Sequence, residues 1–341
     1  MVAVSILAGL LASVAHSAAF VFHPDNHNTF ENTRIPALYD LSADQHDSGS
    51  FWTCAFLTTT TGRQYLSLQH ILGSNSASSV CRSSILDLSS KQYWNDLTYC
   101  EPNNETTDGT VGVHLDSYGF GATSEDRITS MYAFGAGENY SYDLQFAAKS
   151  KVLLNGGNGA ITFGLGFVNS TERAIPAMRT TGTVTLNDRT EAIDPKRSFT
   201  WYDRQVGFGA PRNWTWFQLH FPGTEIKASI WAYDLVDTDT AMTSRFATVR
   251  FGEESHLVLA YNLHVSDESW TSPNTNITYP LRWTLEFENG DKLFIASVKP
   301  DQEMYGPRAI EDSVYAGFVT VKGRFLGQRV GYGVVEMITL M

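Results

Sequence analysis

Hydrophobic and polar positions alternate with a period of two through most of the chain, which predicts β-strands. Residues 51–72 give a strand, a Thr-Gly turn and a second strand, and residues 151–168 and 181–192 repeat this hairpin pattern. Later strands are predicted at 214–221, 227–235, 246–252, 257–265, 281–288, 292–299, 313–326 and 329–339. The best helix candidate is a short segment over 86–97. The pattern is therefore typical of an all-β protein.

A break at residues 194–196, Asp-Pro-Lys, predicts the boundary between two β domains. The chain has 341 residues, which is enough for two domains that each bury a core. We expect an N-terminal domain over 20–194 and a C-terminal domain over 195–341, each a barrel or sandwich of about eight to ten strands. No repeat of about 20 to 50 residues is apparent, which argues against a propeller or solenoid.

The first nineteen residues differ from the rest of the chain. Residues 2–15 form an apolar run without a charged side chain, and the small residues Ala15, Ser17, Ala18 and Ala19 follow. This pattern predicts a signal peptide over 1–19 and entry into the secretory pathway. A buried N-terminal helix is the alternative, because the usual basic residues at the start are missing. No other stretch has 18 uninterrupted apolar residues, so no membrane span is predicted.

Two further features fit the secretory pathway. The chain has three cysteines, Cys54, Cys81 and Cys100, and among the three pairings we favour a disulfide between Cys81 and Cys100. Three unpaired cysteines in the core are the alternative. Asn-x-Ser/Thr sequons predict glycosylation at Asn104, Asn139, Asn169, Asn213 and Asn276. We expect Asn213 to be the least accessible, because it lies in the most aromatic segment.

Composition and missing motifs restrict the function. The 36 acidic and 24 basic residues leave a net charge of −12, which argues against nucleic acid as a partner. The chain lacks the P-loop, G-x-G-x-x-G, G-x-S-x-G, H-E-x-x-H and C-x-x-C motifs, so no cofactor is predicted. His23 and His27 are four residues apart but lack a third ligand, so no metal site is predicted. Aromatic residues make up 13% of the chain and favour a hydrophobic small molecule as ligand.

The segment 199–221 contains eight aromatic residues and an adjacent Asp203 and Arg204. In an extended chain, Asp203 and Arg204 point to opposite sides. Burial among aromatic rings would raise the pKa of Asp203 and make it a general acid; a structural Asp-Arg network is the alternative. His220 is a second candidate proton carrier or an ordinary core residue.

The strand predicted within this segment has two different faces. Trp214, Trp216, Gln218 and His220 share one face, which mixes aromatic rings with hydrogen-bonding groups. Such a mixed face suits a ligand cavity, and Trp231 and Tyr233 extend it in the next strand. Simple filling of a barrel interior is the alternative.

The same segment carries a resemblance to a known family. The run TTGTVTLNDRTEAIDPKRSFTWYDRQVGFG, followed by NWTWFQLHF, resembles the two-domain lipocalin-like proteins related to carotenoid hydratase and kievitone hydratase. The same superfamily includes fungal Diels–Alder and hetero-Diels–Alder cyclases. The resemblance implies two lipocalin-like β domains, a ligand pocket near their interface, and chemistry without a cofactor on polyene or terpenoid substrates. Val206 departs from the tryptophan that is usual at that position.

Two reactions follow from this resemblance, together with a third function. We expect first a [4+2] cycloaddition, in which dehydration generates the quinone methide or other diene where one is needed, because Val206 weakens the match to a hydratase. Hydration of an alkene by Asp203 is the alternative, and a carrier without catalysis is the third. The expected catalytic residues are Asp203, His220 and Arg204. The expected substrate-binding residues are Trp201, Tyr202, Gln205, Trp214, Trp216, Gln218, Trp231, Tyr233 and Tyr332.

Overall fold

The computed structural model describes residues 19–25, 49–73, 78–101, 112–149, 152–237, 240–251 and 255–339. Regular structure in these ranges is almost entirely β-strand, with short 3-10 turns at 155–157 and 165–167, which confirms the all-β prediction. None of the described helical segments has the length and apolar character needed to cross a membrane. Residues 1–18 of the predicted signal peptide, together with His27 and Asn104, lie outside the described residues.

The first sheet contains 13 strands from the N-terminal part of the chain. Its strands are β1 Ser50–Thr58, β2 Gln64–Leu72, β3 Ser79–Asp87, β4 Tyr93–Cys100, β5 Val113–His114, β6 Tyr118–Ala122, β7 Ser130–Gly137, β8 Tyr140–Ala147, β9 Leu153–Leu154, β10 Ala160–Thr162, β11 Asn169–Leu186, β12 Arg189–Ala192 and β13 Phe199–Val206. The main order is β4-β3-β2-β1-β13-β11-β8-β7-β6-β5. The pairings are antiparallel, so β1 and β11 flank β13 on its two sides.

The second sheet contains nine strands. Its strands, together with the separate pair β18 and β19, are β14 Asn213–His220, β15 Ile226–Asp237, β16 Thr240–Phe251, β17 Ser255–Val265, β18 Ser269–Thr271, β19 Thr278–Pro280, β20 Arg282–Phe287, β21 Lys292–Ser297, β22 Glu303–Gly306, β23 Ala309–Phe325 and β24 Gln328–Thr339. The order is β21-β20-β17-β16-β15-β14-β24-β23-β22, and the additional pairing of β21 with β23 closes a barrel. Closure leaves these two strands without a free edge.

The division between the sheets lies later in the chain than the sequence suggested. The predicted boundary follows Asp194, but β13 pairs with β1 and β11 and belongs to the first sheet. The chain passes to the second sheet between Val206 and Asn213. The segment around Pro195 is instead a turn within the first sheet, where Arg197 bonds to Asp194.

The helix suggested for 86–97 is a β-hairpin. The Asp87 carboxylate accepts hydrogen bonds from the backbone N–H groups of Ser89 and Ser90, and this arrangement turns the chain. Strand β4 then pairs with β3 along its length. Local turn chemistry and sheet pairing therefore outweigh the weak helical periodicity.

One disulfide and one free thiol account for the three cysteines, and four sequon asparagines lie at the surface. Cys81 and Cys100 form the favoured disulfide between β3 and β4, and Cys54 is a buried free thiol. The asparagines of four sequons are exposed, namely Asn139, Asn169, Asn213 and Asn276. Asn213 is the first residue of β14 and is exposed like the other three, contrary to the expectation of poor access.

Strand β14 divides its side chains between two different cores. Phe217 and Leu219, together with Phe221 directly after the strand, lie in the interior of the second barrel. Trp214 and Trp216 point outwards from that barrel and join a cluster that includes side chains of the first sheet. The tryptophan face is therefore not barrel filling, because it forms one wall of the space between the two sheets.

Candidate active site

A cavity of about 420 Å³ lies between the first sheet and the outer face of the second barrel. Its walls come from β1, β2, β11 and β13 on one side and from β14, β15 and β24 on the other. The principal lining side chains are Ser50, Trp52, His70, Phe163, Ser170, Glu172, Asp203, Gln205, Phe208, Trp214, Trp216, Trp231 and Glu336. An aromatic enclosure with a few polar groups is the usual form of a small-molecule site.

Alternation along β13 decides which of its residues reach this cavity. Asp203 and Gln205 line it, whereas Tyr202 and Arg204 lie on the opposite face of the strand. The Arg204 guanidinium stacks on the Phe51 ring, with 3.8 Å between its Cζ and the ring centroid, and donates to the backbone oxygens of Ser50 and Gln205. The predictions of a catalytic Arg204 and a substrate-binding Tyr202 are therefore not met, because both side chains are committed to the first sheet.

Asp203 is paired with a second carboxyl that the sequence did not reveal. Glu172 on β11 is fully buried next to Asp203, its two carboxyl oxygens have no hydrogen-bond partner among the described residues, and the Trp201 Nε1–H donates to the Asp203 Oδ2 at 3.3 Å. Burial and the neighbouring Asp203 raise the pKa of Glu172 well above its ordinary value. Burial also raises the pKa of Asp203 to about 6, against the opposing effects of Glu172, Trp201 and Arg173. Two neighbouring buried carboxyls cannot both ionise easily, so the pair retains a proton to higher pH than an exposed carboxyl does.

A third carboxyl, Glu336, faces the same cavity from the second barrel. It lies on β24 and accepts a hydrogen bond from the Trp214 Nε1–H at 3.1 Å. Burial raises its pKa to about 7; the charge of Asp203 acts in the same direction, whereas Trp214 and Arg82 oppose it. Carboxyls from both walls are thus tuned towards neutral pH, which is a common property of proton-transfer sites.

Four tryptophans form the aromatic walls, and most of their N–H groups are already bonded. Trp52 donates to the Gln218 Oε1 at 3.1 Å, and Trp216 donates to the Ser229 Oγ at 2.8 Å. Among the described residues, Trp231 Nε1 and Gln205 Nε2 have no hydrogen-bond partner, although both side chains line the cavity. These two donors are therefore available to a ligand.

The remaining predicted site residues lie behind the cavity walls. His220 packs edge-on to Phe56 and Trp201, its pKa is lowered by burial and by Lys227 and Arg250, and it does not line the cavity. Its predicted catalytic role is therefore not met, because the neutral ring is enclosed by aromatic side chains. The other predicted residues behind the walls are Trp201, Gln218, Tyr233 and Tyr332.

Position 206 also lies away from the cavity. Val206 pairs with Thr171 on β11, and alternation places its side chain on the same face as Arg204. The departure from tryptophan at this position therefore removes no wall of the cavity. The argument that Val206 weakens a hydratase does not hold in the structure.

The two-sheet architecture and the aromatic-lined cavity define a lipocalin-like protein of two β units with a cavity between them. A family model described as AttH-like matches residues 80–339, and the chain belongs to this family. Kievitone hydratase of Fusarium solani subsp. phaseoli is 35% identical over 99% of this chain and 98% of its own. Dehydratase asqC of Emericella nidulans is 35% identical over 96% of each chain.

Solved structures agree with this assignment. The crystal structure of kievitone hydratase from Nectria haematococca superimposes with a TM-score of 0.86 and 34% identity, covering 94% of this chain and 98% of that chain. The structure of CghA with Sch210972 has a TM-score of 0.55 at 10% identity, over 94% and 98% of the two chains, which shows the fold alone. The predicted family and two-unit fold are confirmed, and the named full-length relatives are a hydratase and a dehydratase.

Proposed function

We propose that this protein is a hydro-lyase that adds water to, or removes water from, a hydrophobic ligand in the cavity between the sheets. The observation that carries the proposal is the Glu172–Asp203 pair, two neighbouring buried carboxyls with raised pKa values in the wall of an aromatic-lined cavity. An acid and its conjugate base side by side can donate one proton and accept another without bulk water.

The arrangement supports a two-step addition. Glu172 gives its proton to an alkene carbon, and the resulting cation lies against the electron-rich faces of Trp216 and Trp231. A water molecule then attacks the cation and returns a proton to the carboxyl pair, so one H₂O is added across the double bond. Dehydration is the same path in reverse, with the hydroxyl leaving as water after it is protonated.

The cavity favours this reaction over the cycloaddition that the sequence placed first. A cycloaddition needs shape and proximity but no proton. Burial of the carboxyl groups of Glu172, Asp203 and Glu336 costs free energy. A proton-transfer reaction would use these carboxyls, whereas a cycloaddition would not. The names of the relatives support the same choice. A dehydration that made a quinone methide here would still leave the diene between aromatic walls for a later ring closure.

The test is turnover in H₂¹⁸O followed by mass spectrometry. Purified protein is incubated with kievitone, the compound named for one relative, and with an extract of the source organism. We expect a product in one of these mixtures that gains H₂¹⁸O or has lost water. Asp203→Asn and Glu172→Gln should each reduce the rate by about 10² to 10⁴, the usual contribution of a positioned acid or base.

The control is Asp234→Asn, which changes a half-exposed carboxylate on β15 outside the cavity and should leave the rate unchanged. Formation of a cycloadduct without exchange of water, at a rate that Asp203→Asn does not alter, would establish cycloaddition instead. Ligand binding without turnover would establish a carrier.

A further inference from the structure

The wall formed by β1 and β2 contains a chain of hydrogen bonds that the proposed proton transfer does not use. The Arg82 Nη1–H donates to His70 Nδ1 at 2.9 Å, and His70 Nε2 lies 3.0 Å from the Ser50 Oγ. Arg82 is also anchored by its Nε, which donates to the backbone oxygen of Asp312 on β23 at 2.8 Å. Ser50 and His70 line the cavity, whereas Arg82 lies behind them.

The chemistry of arginine fixes the direction of this chain. A guanidinium has only donors, so His70 Nδ1 must accept and can carry no hydrogen. The ring is therefore neutral, with its hydrogen on Nε2, and that hydrogen points to the Ser50 oxygen. Burial and the charge of Arg82 lower the pKa of His70 well below its ordinary value, which agrees with the neutral ring.

The last hydrogen in the chain belongs to the Ser50 hydroxyl. The Ser50 Oγ accepts a hydrogen bond from His70 Nε2, and among the described residues this is the only hydrogen bond of the Oγ atom. Ser50 is partly exposed to the cavity and begins β1, directly after Gly49. Residue 49 must be glycine, because a Cβ there would lie 2.2 Å from the backbone oxygen of Gln205.

We propose that Ser50, oriented by His70 and Arg82, is a hydrogen-bond donor site for a carbonyl oxygen of the ligand. Arg82 donates to His70 and His70 donates to Ser50, so the Ser50 hydroxyl hydrogen remains for a cavity group that only accepts. The substrate class is thus a hydrophobic ketone or a related carbonyl compound. The site deepens the proposed hydro-lyase function, but its binding test does not depend on turnover.

The first experiment compares two rigid probes that differ in one oxygen, 9-fluorenone and fluorene. Binding to the full chain is followed by quenching of tryptophan fluorescence, because four tryptophans line the cavity. We expect the ketone to bind about five- to tenfold more tightly, the effect of one hydrogen bond of ordinary net strength. Ser50→Ala should abolish this preference and leave the affinity for fluorene within about twofold.

The matched control is Ser170→Ala. It removes another hydroxyl that lines the cavity but does not belong to the Arg82–His70–Ser50 hydrogen bonds, and it should leave the preference for the ketone intact. Failure of fluorenone to bind, equal affinity for both probes, or a preference that survives Ser50→Ala overturns the proposal. Ketone preference that persists in Asp203→Asn, with water transfer lost, supports both proposals separately.

The second experiment reads the state of His70 directly by NMR of the protein labelled with ¹⁵N-histidine. We expect one neutral tautomer, with the hydrogen on Nε2, that does not titrate between about pH 5 and pH 9. Arg82→Gln should release this constraint and allow the other tautomer. A hydrogen on Nδ1 in the unaltered protein, or a ring that becomes cationic near its ordinary pKa, overturns the assigned direction.

Discussion

Glu336 shows most simply what burial does to a single carboxyl in this cavity. The residue is 5% exposed and lies between Val335 and Met337 on β24, with the Trp214 Nε1–H as a hydrogen-bond donor. Burial raises its pKa from 4.5 to about 7, so the folded protein binds this proton more tightly than the unfolded chain does. The carboxyl therefore favours folding at low pH and loses that contribution as it ionises.

This shift makes the stability difference between the protein and Glu336→Gln depend on pH. A carboxyl whose pKa is raised on folding contributes its full stabilisation below about pH 4.5 and loses it as pH rises through about 7. The amide does not titrate, and it can still accept from Trp214. Between pH 4.5 and pH 8 we therefore expect the free energy of unfolding of Glu336→Gln to increase by about 3 kcal/mol relative to that of the unaltered protein.

The measurement is urea unfolding of both proteins at the two pH values, with the charged groups that interact with Glu336, namely Asp203, Glu172 and Arg82, left unsubstituted. Groups outside this cluster cancel in the difference. The buried histidines His70 and His220, whose pKa values are lowered by burial, also contribute to the raw pH dependence of both proteins. A difference that stays constant with pH would show that Glu336 titrates normally in the folded protein.

Sequence reasoning found one carboxyl of the cavity and missed two. Asp203 could be found because it lies inside the aromatic segment, whereas Glu172 and Glu336 come from strands that are distant in the chain. A signal was present at Glu336, a lone charge in the apolar run from Val334 to Ile338. The pairing of Glu172 with Asp203 depends on the register of β11 against β13, and no local pattern encodes that register.

At the scale of elements, the segment from Phe20 to Asp25 connects the two sheets. Phe22 is buried between rings of both sheets, 5.6 Å from the Phe56 centroid and 5.1 Å from that of Tyr332. The Tyr332 hydroxyl donates to the backbone oxygen of Val21 at 2.9 Å. The predicted substrate role of Tyr332 therefore gives way to a structural contact.

Asp25 adds a buried ion pair to this connection, and its removal should be costly. Its carboxylate bonds to Arg250 and lies 3.8 Å from the Lys227 Nζ, and both cations belong to the second barrel. Asp25→Ala would leave these cations buried without that charge. We expect a loss of about 3 to 5 kcal/mol in the free energy of unfolding, as for other broken buried pairs.

Chemical denaturation of Asp25→Ala and Glu268→Ala provides the comparison. Glu268 pairs with Arg282 at the surface, where both side chains are about half exposed. Its removal should change stability by less than about 1 kcal/mol. Equal effects of the two substitutions would mean that the buried Asp25 ion pair contributes no more to stability than a surface pair.

The strands show which part of the fold is local. The period-two pattern identified strands such as β20 and β21, whose buried and exposed side chains alternate. It also identified β1 and β2, which are buried on both faces, but it did not identify β7 and β8. The closure of the second barrel by β21 and β23 and the assignment of β13 to the first sheet are non-local pairings. For that reason the division between the sheets was predicted several residues too early.

At the scale of the whole molecule, the two β units share a core. A hydrophobic cluster between the sheets joins Trp52 and Phe56 of the first sheet to Trp216, Phe318 and others of the second. Hydrogen bonds also cross the junction, from the Trp52 Nε1–H to Gln218 and from the Arg82 guanidinium to β23. Unfolding of either unit alone would expose this face of the other to water.

We therefore expect the described units to unfold in one cooperative transition. Phe120 is buried inside the first sheet and Phe325 inside the second barrel, and neither contributes to the shared cluster. Phe120→Ala and Phe325→Ala should each cost about 3 to 5 kcal/mol. If the two units unfold together, a substitution in either unit destabilises both. Both substitutions should therefore lower the midpoint temperature of the same calorimetric transition, with equal calorimetric and van't Hoff enthalpies. Two transitions, each lowered by only one substitution, would mean that the aromatic junction does not couple the units. The cavity would then have to assemble from two independently folded walls.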